Sequence, residues 1–363
     1  MKLAIISLKS ISTKMLAEEC ENYFDQVDLL DIRQIETEAS SDGVKVLHNG
    51  DKIDDYDCVY CKGSSKYALV LQSITESLNG DCYMPLSSSS FVTGHNKYLT
   101  TLELQKARIS MPKSYLAATI DSAKKILKKI HYPVIIKIPS GTHGKGVMVA
   151  ESFASASSVL DTMEVFKQAY IIQEFIDTGA TDIRALVIGD KVVATMKRKA
   201  TRGEVRANIH TGGTGLKIEL SGGSERLAVK AAKAIGADIA GVDMLEGVNM
   251  NVLEVNVSPG LQGITNISGV NVAGKMARFL YDQTKNFKKV DSRAKYSDIL
   301  KSIEKKPVSS KGHSELITNL EVKFGKIRLP DSVTKISGFK DSEEVVVKAT
   351  KGKILVKTND EIK

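Results

Sequence analysis

The sequence lacks the segments that would place the protein in a membrane or direct it out of the cell. No apolar run approaches the roughly 18 residues that a transmembrane helix needs. The start, Met1–Ser7, is too short for a signal peptide and predicts a first β-strand instead. We therefore expect a cytoplasmic protein. Its 363 residues have room for two or three domains.

Cysteine is scarce, with four residues, although Cys58 and Cys61 have C-x-x-C spacing. A redox motif would lie on a strand-to-helix turn, and a zinc site would need a second pair with similar spacing. Here the pair lies within an apolar run that predicts a strand. We interpret the cysteines as ordinary core and surface residues.

The composition is that of a globular protein, with 42% hydrophobic and 26% charged residues. The net charge is +8, and much of the excess lies after Asp291. The positive charge is therefore weak support for nucleic-acid binding by the main body.

The order of predicted elements divides the chain into parts. Residues 1–90 alternate strand and helix, which predicts a small α/β unit with a parallel core and a hairpin turn at Asn49-Gly50. A helix is expected over Phe91–Ala107 and another over Val270–Lys285. Residues 289–314, rich in Lys and Ser, predict a linker, and residues 315–363 a small β-rich domain.

A glycine-rich loop, Gly141–Gly146, joins one predicted strand to another. A Walker loop or a dinucleotide fingerprint would join a strand to a helix, so both are excluded. Glycines still allow a hairpin to fold its backbone N–H groups over phosphates. The alternative interpretation is a flexible hairpin turn.

A hairpin near residue 250 brings acidic groups together. If it is centred between Val248 and Asn249, Asp243 lies opposite Glu254, with Cβ atoms roughly 4.5–5.5 Å apart. Asn256 points to the same face because side chains alternate along a strand. Such hard oxygen ligands suit Mg²⁺. The alternative is that they are polar residues on a solvated face.

Positive charge is concentrated between the two hairpins, in Lys197–Arg206. A solvated face would explain it, and so would an anionic ligand such as a phosphate or an acidic substrate. Lys97, in a predicted helix, has the same two interpretations.

Several stretches, in this order, resemble the RimK-type carboxylate–amine ligases of the ATP-grasp superfamily. The resemblance covers roughly residues 1–288. It rests on Ile136-Lys137, Gly141 to Val147, Ile172 to Ile176, Asp182 to Arg184, Val205 to Gly213, Ala240 to Asp243, Glu254 to Leu261 and Gly269 to Gly274.

The resemblance implies a fold of mixed α/β and α+β class. Residues 1–90 would form a pre-ATP-grasp domain, and residues 91–288 a two-lobed ATP-grasp domain that divides near 177–185. The small β-rich domain at 315–363 would follow the linker.

The resemblance also implies a site for ATP and for two Mg²⁺ or Mn²⁺ ions. Lys97 and Lys137 would hold phosphates under the loop that contains Gly141, Thr142, Gly144 and Gly146. The adenine edge would be recognised by Gln173, Glu174, Phe175 and Ile176, with Asp182 near the ribose. The metal ligands would be Asp243, Glu254 and Asn256. Arg206 and Asn208 would be catalytic at the transferring phosphate, and substrate would contact Arg184, Arg198, Arg202 and Arg206.

The reaction implied is ADP-forming amide synthesis through an acyl phosphate, which needs position and positive charge more than a nucleophilic side chain. The amine would be L-glutamate or another amino acid. The acceptor would be acidic, either a protein C-terminus or a glutamyl coenzyme tail. An amino-group carrier protein ligase of lysine or arginine biosynthesis is the alternative, although that group differs around Arg206-Ala207-Asn208.

The tail resembles an AbrB-like swapped-hairpin domain, a fold that dimerises and often binds DNA. This implies a homo-oligomer, with DNA binding as a further possibility and a dimerisation or substrate-docking module as the alternative. A DNA-binding regulator with a nucleotide-sensing ATP-grasp body would be a rival function, and a pseudoenzyme scaffold another. The complete set of metal and phosphate positions favours the enzyme over both.

Overall fold

The fold is taken from a computed structural model. It describes residues 1–303 apart from 42, 54, 142–145 and 201–213, together with 321–323, 326–328, 333, 337–338, 345–350 and 353–358. The chain divides into two compact units, Met1–Lys295 and Tyr296–Lys363.

The first unit contains both helices and strands, and its last helix continues beyond Lys295. The helices are α1 (Ile11–Cys20), α2 (Ala68–Ser77), α3 (Ser88–Gly94), α4 (Lys97–Lys106), α5 (Ile120–Leu127), α6 (Phe153–Val165), α7 (Gly222–Ala234), α8 (Gln262–Ser268) and α9 (Val272–Ile303). The strands are β1 (Lys2–Ser7), β2 (Gln26–Asp31), β3 (Ile35–Ser40), β4 (Gly43–His48), β5 (Asp51–Lys52), β6 (Cys58–Cys61), β7 (Ser114–Tyr115), β8 (Val134–Lys137), β9 (Val147–Ala150), β10 (Ile171–Glu174), β11 (Thr181–Ile188), β12 (Lys191–Lys199), β13 (Thr214–Lys217), β14 (Ile239–Glu246) and β15 (Met250–Asn256).

A parallel sheet in the order β2-β1-β6 forms the N-terminal core. Residues 3–7 of β1 are buried, as a central parallel strand covered on both faces requires. This confirms the parallel core that the sequence predicts. The hairpin at Asn49-Gly50 is also present, with His48 paired to Asp51. Strand β3, which pairs with β4, is an addition that the sequence pattern did not indicate.

Two antiparallel sheets follow the N-terminal sheet. The smaller has the order β7-β10-β8-β9, and its strands β8 and β9 flank the glycine-rich loop as predicted. Its own hydrophobic core includes Leu127, Ile136, Leu160 and Ile172. The larger has the order β13-β12-β11-β14-β15 and shares one continuous core with the N-terminal sheet.

Two predicted helices differ from those observed. The helix expected over Phe91–Ala107 is broken into α3 and α4, because Asn96 has extended backbone angles and its side chain accepts hydrogen bonds from the N–H groups of Tyr98 and Leu99. The helix expected over Val270–Lys285 continues to Ile303. Residues 289–303, expected to be linker, are therefore helical.

The described part of the second unit is β-rich, as predicted. Strands β16 (Glu321–Lys323) and β17 (Lys326–Arg328) pair in antiparallel fashion, as do β18 (Val345–Thr350) and β19 (Lys353–Thr358). The AbrB-like arrangement stays a prediction. In the described part of the chain, no helix combines the length and apolarity that a membrane crossing needs.

Helix α3 packs closely against the loop that follows β15. We therefore expect the stability of the fold to be sensitive to one added methyl group at this contact. A Cβ at Gly94 would lie 2.7 Å from Cγ1 of the buried Val257. We expect Gly94→Ala to lower the free energy of unfolding by about 1–3 kcal/mol through overpacking, measured by urea denaturation. Gly223→Ala is the control, because its nearest neighbour would be 3.8 Å away and alanine favours the helix. Equal stability of the two variants would contradict the close contact.

Candidate functional site

The acidic hairpin is formed by β14 and β15, and Asp243 pairs with Glu254 as predicted. The turn differs from the prediction, since Glu246 pairs with Met250 and the centre falls on Val248. A bulge next to Asp243 then shifts the register by one residue. The bulge restores the predicted pair, and Asn256 lies opposite Gly241 at the end of the hairpin.

Asp243 is 3% exposed and is held by two arginines. Arg184 binds it with both ends of its guanidinium, from Nε to Oδ1 at 2.7 Å and from Nη2 to Oδ2 at 2.6 Å. Arg198 Nη2 lies 2.9 Å from the same Oδ2. Asp243 therefore has a cationic partner on each of two neighbouring strands.

Cross-strand register produces this arrangement. Arg184 on β11 is opposite Asp243 on β14, and Asp182 on β11 is opposite Arg198 on β12. Arg198 also binds Asp182 through two hydrogen bonds of 2.6 and 2.8 Å. We call these four residues the charge ladder.

The charge ladder sets the ionisation of its acids. Burial tends to raise the pKa of Asp243, but Arg184 and Arg198 outweigh it and lower this pKa to about 2. Burial and the charge of Asp243 raise the pKa of Asp182 to about 6, against the effect of Arg198 and Arg184. The carboxyl group of Asp243 is consequently ionised at neutral pH.

Two lysines lie at the base of the glycine-rich loop. Lys97 Nζ donates a 2.9 Å hydrogen bond to the Gly141 carbonyl. Lys137 ends β8 and is 6% exposed. Burial lowers the pKa of Lys137 to about 8, the charge of Glu254 opposes this and Lys97 adds to it. Lys137 thus lies in the field of the hairpin carboxylate from the other sheet.

Gly146 closes the loop in a conformation that favours glycine. Its φ is +76°, and a Cβ there would lie 2.5 Å from Cγ1 of Ile138. The Gly146 carbonyl accepts a hydrogen bond from the Ile138 N–H at 3.1 Å. Thr142 and Gly144, which belong to the predicted phosphate loop, lie outside the described residues.

The segment predicted to recognise adenine begins in β10. Gln173 is buried, and its Nε2 donates to Ser114 Oγ at 2.7 Å. The Glu174 N–H donates to the Lys113 carbonyl at 2.8 Å. Phe175 and Ile176 are half-buried, and a Cβ at Gly247 would come 2.9 Å from Ile176 Cγ2. The adenine segment therefore abuts the turn of the acidic hairpin.

The predicted substrate cations are only partly described. Arg202, Arg206 and Asn208 lie outside the described residues. Lys197 binds the exposed Glu246 at 2.7 Å, and Arg198 belongs to the charge ladder. The cation cluster is therefore balanced by acids in its first part, which the sequence pattern alone did not reveal.

The oxygen ligands fit a metal that completes its shell with phosphate and water. Within the described ranges, no group of three or more His, Cys, Asp or Glu residues could hold a metal by itself. Glu254 forms no hydrogen bond or salt bridge to any described residue. Counting the described residues, Asp243 Oδ1 accepts one N–H, and Asn256 Oδ1 accepts one from Ser258 at 2.9 Å, so each keeps a lone pair. Two carboxylates and an amide suit Mg²⁺-type coordination.

Comparison with known proteins gives a consistent family. The model of the RimK-like ATP-grasp domain matches residues 94–280. A protein of Marinobacter nauticus named "Probable alpha-L-glutamate ligase" is 34% identical over 294 residues, which cover 79% of this chain and 97% of that protein. A protein of Cellvibrio japonicus with the same name is 33% identical over 291 residues, covering 78% and 97%.

Solved structures agree in fold. A RimK domain ATP-grasp protein from Sphaerobacter thermophilus has a TM-score of 0.60 at 16% identity, covering 77% of this chain and 99% of its own. The ATP-grasp ligase PsnB, complexed with a minimal precursor, has a TM-score of 0.62 at 17% identity, covering 78% and 98%. These matches confirm the predicted fold class and resemblance. The chain belongs to the RimK-like ATP-grasp family and is an ADP-forming ligase that joins a carboxylate to an amine using ATP.

Proposed function

We propose that this enzyme adds L-glutamate to the carboxylate of an acidic acceptor, either a protein C-terminus or a glutamyl coenzyme tail. The observation that carries the proposal is the electrostatic interaction between the buried cation Lys137 and Glu254, which has no hydrogen bond or salt bridge to the described residues and lies opposite the anionic Asp243. The names of the relatives support glutamate as the amine.

The proposed reaction proceeds through an acyl phosphate. An acceptor carboxylate oxygen forms a bond to the γ-phosphorus of ATP, and the bond from that phosphorus to the β,γ-bridging oxygen breaks, which releases ADP. The glutamate nitrogen then bonds to the acyl carbon, a proton leaves the nitrogen, and the carbon–oxygen bond to phosphate breaks. Amide, ADP and phosphate result.

The residues divide this work. Lys97 and Lys137 bind the phosphates, and the Gly141–Gly146 loop excludes water from the acyl phosphate. Asp243, Glu254 and Asn256 hold Mg²⁺ or Mn²⁺, which supplies positive charge to the transferring phosphate. Gln173 to Ile176 bind the adenine, and Arg206 and Asn208 act at the phosphate.

The charge ladder leaves its arginines able to bind substrate as well. Arg184 uses Nε and Nη2 on Asp243, and its Nη1 donors have no partner among the described residues, so they can bind a carboxylate. Both Asp182 oxygens accept from Arg198, and within the described part of the chain each keeps one lone pair for the ribose. We assign Arg184, Arg198, Arg202 and Arg206 to recognition of substrate carboxylates.

Removing the Glu254 charge tests the metal assignment. We expect Glu254→Gln to reduce ADP formation by about 100-fold or more, because charge stabilisation at the phosphate is lost. Mn²⁺ binding in the presence of nucleotide, followed by electron paramagnetic resonance, should weaken in parallel. Glu246→Gln in the same hairpin should leave both unchanged. Normal Mn²⁺ binding by Glu254→Gln would contradict the assignment.

Mass spectrometry tests the substrates. Candidate protein tails and glutamyl deazaflavin or pterin acceptors are incubated with enzyme, ATP, Mg²⁺ and L-glutamate. We expect one class of acceptor to gain mass in steps equal to glutamate residues, with formation of an equimolar amount of ADP. No mass increment should appear without ATP. Increments with another amino acid only would overturn the choice of glutamate, and no increment on any acceptor would overturn the acceptor class.

We expect the buried charge of Lys137, which is proposed to bind phosphate, to lower the free energy of unfolding of the free protein. Its folded-state pKa of about 8 lies below the ordinary 10.5, so the destabilisation is complete below pH 8 and disappears as the pH rises towards 10.5. We expect Lys137→Met to raise the free energy of unfolding by about 3 kcal/mol at pH 7 and by little near pH 10.5, measured without nucleotide. Lys129→Met, at an exposed lysine, is the control. A variant less stable at both pH values would contradict the buried charge.

A further inference from the structure

The carboxyl-terminal edge of the N-terminal parallel sheet faces the loop that follows Asn256. Leu261 N–H donates to Ser12 Oγ at 2.9 Å, and Gly63 N–H donates to Ser258 Oγ at 3.1 Å. Lys62 Nζ donates to the Pro259 carbonyl at 2.5 Å. Open parallel sheets bind ligands beyond the carboxyl ends of their strands, so this edge is the expected place for a further substrate contact.

Lys62 brings an uncompensated charge to this edge. It directly follows β6, and its recorded partner is a neutral carbonyl oxygen. No carboxylate in the described ranges forms a salt bridge with it. Burial lowers the pKa of Lys62 to about 8. Lys62 is half-buried by its accessible surface. Because charges withdrawn from water in proteins are normally paired, an anionic group is the chemical complement of this side chain.

His95 adds a hydrogen-bond acceptor beside Lys62. It follows α3, and its ring bonds to the backbone of Gly63, while its Nε2 is buried and has no partner among the described residues. Burial and the charge of Lys97 lower its pKa, against the Gly63 contact, so the ring is neutral. The ring nitrogen at Gly63 donates, which leaves Nε2 as an acceptor.

Ser258 completes the group. Its Oγ accepts from Gly63, and its own hydrogen has no acceptor within the described ranges, so that hydrogen is available to a ligand. Its N–H donates to Asn256 Oδ1 at 2.9 Å, which ties this group to the proposed metal ligands. We call Lys62, His95 and Ser258 the edge cluster.

We propose that the edge cluster binds a substrate carboxylate that has an N–H donor beside it. Lys62 and the Ser258 hydroxyl hold the carboxylate, and His95 Nε2 accepts the N–H. An α-amino acid has both groups, as does the C-terminal residue of a peptide. The inference rests on the proposed function, and it assigns to substrate three residues that the ATP and metal site does not use.

Ligand binding by Lys62→Met tests the proposal, with Lys66→Met, an exposed lysine in the same segment, as the control. Protein with Mg²⁺ and a non-hydrolysable ATP analogue is titrated calorimetrically with L-glutamate, with a peptide ending in two glutamates, and with glutarate. We expect Lys62→Met to weaken binding of glutamate or of the peptide about 10- to 100-fold, which identifies the source of the carboxylate. Lys66→Met should bind as the wild type does.

His95→Gln provides a second readout. We expect this variant to bind the ligand that carries an N–H more weakly than the wild type does. Its affinity for glutarate should be unchanged. Unchanged binding of all three ligands by Lys62→Met, or no binding by the wild type, overturns the inference. Lys62→Met could instead lower the affinity for nucleotide or the melting temperature while substrate affinity stays normal. That result would show that Lys62 only connects the sheet to the loop, and it would also overturn the inference. Failure of the proposed function is distinct, since wild-type protein then gives no ATP-dependent mass increment.

Discussion

Burial of the Asp243 carboxylate is the constraint on which the rest of the site depends. An isolated carboxylate in this core would be neutralised by protonation, and the two arginines prevent this. Arg184 and Arg198 come from β11 and β12, so the sheet order β12-β11-β14 must form before Asp243 can be a dependable anion. Ionisation of the proposed metal ligand is thus a property of the whole sheet.

The same logic applies to the second carboxylate, Glu254, which forms no hydrogen bond or salt bridge within the part of the chain that the structure describes. Glu254 faces Lys137 across the site at a range that influences the lysine pKa without a salt bridge. A direct ion pair would satisfy both groups and leave less charge for a metal and phosphates. In the free protein, the charges of Lys137 and Glu254 are therefore only partly compensated, and we expect Lys137 to destabilise the fold. Sites that are preorganised for a charged ligand typically have such groups.

Period-two alternation and turn chemistry were sufficient to predict the acidic hairpin, the strand–loop–strand around Gly141–Gly146 and the parallel N-terminal core. The pairing of Asp243 with Glu254 was correct although the turn was misplaced, because a bulge compensates for the shift. The charge ladder was beyond prediction from local pattern, since it requires β12, β11 and β14 to be neighbours although Arg198 and Asp243 are far apart in sequence. The continuation of α9 to Ile303 was not predicted, because the Lys- and Ser-rich composition of this segment was interpreted as a linker although it is compatible with a helix.

The proposed role of the edge cluster would give the N-terminal sheet a direct part in the ligase chemistry. Lys62 directly follows the apolar strand β6, and its importance becomes visible only when the structure shows the loop after Asn256 lying over the carboxyl end of that strand. Lys62 binds the carbonyl of Pro259, three residues after Asn256, and Gly94 lets α3 pack closely against Val257 in the same loop, just before His95. The proposed metal ligands and the proposed substrate contacts then lie on, or bind to, one short segment of chain. A substrate held at the edge cluster and a phosphate held by Lys137 would share the rigid hairpin as their common reference, which is how a two-substrate reaction gains its effective concentration.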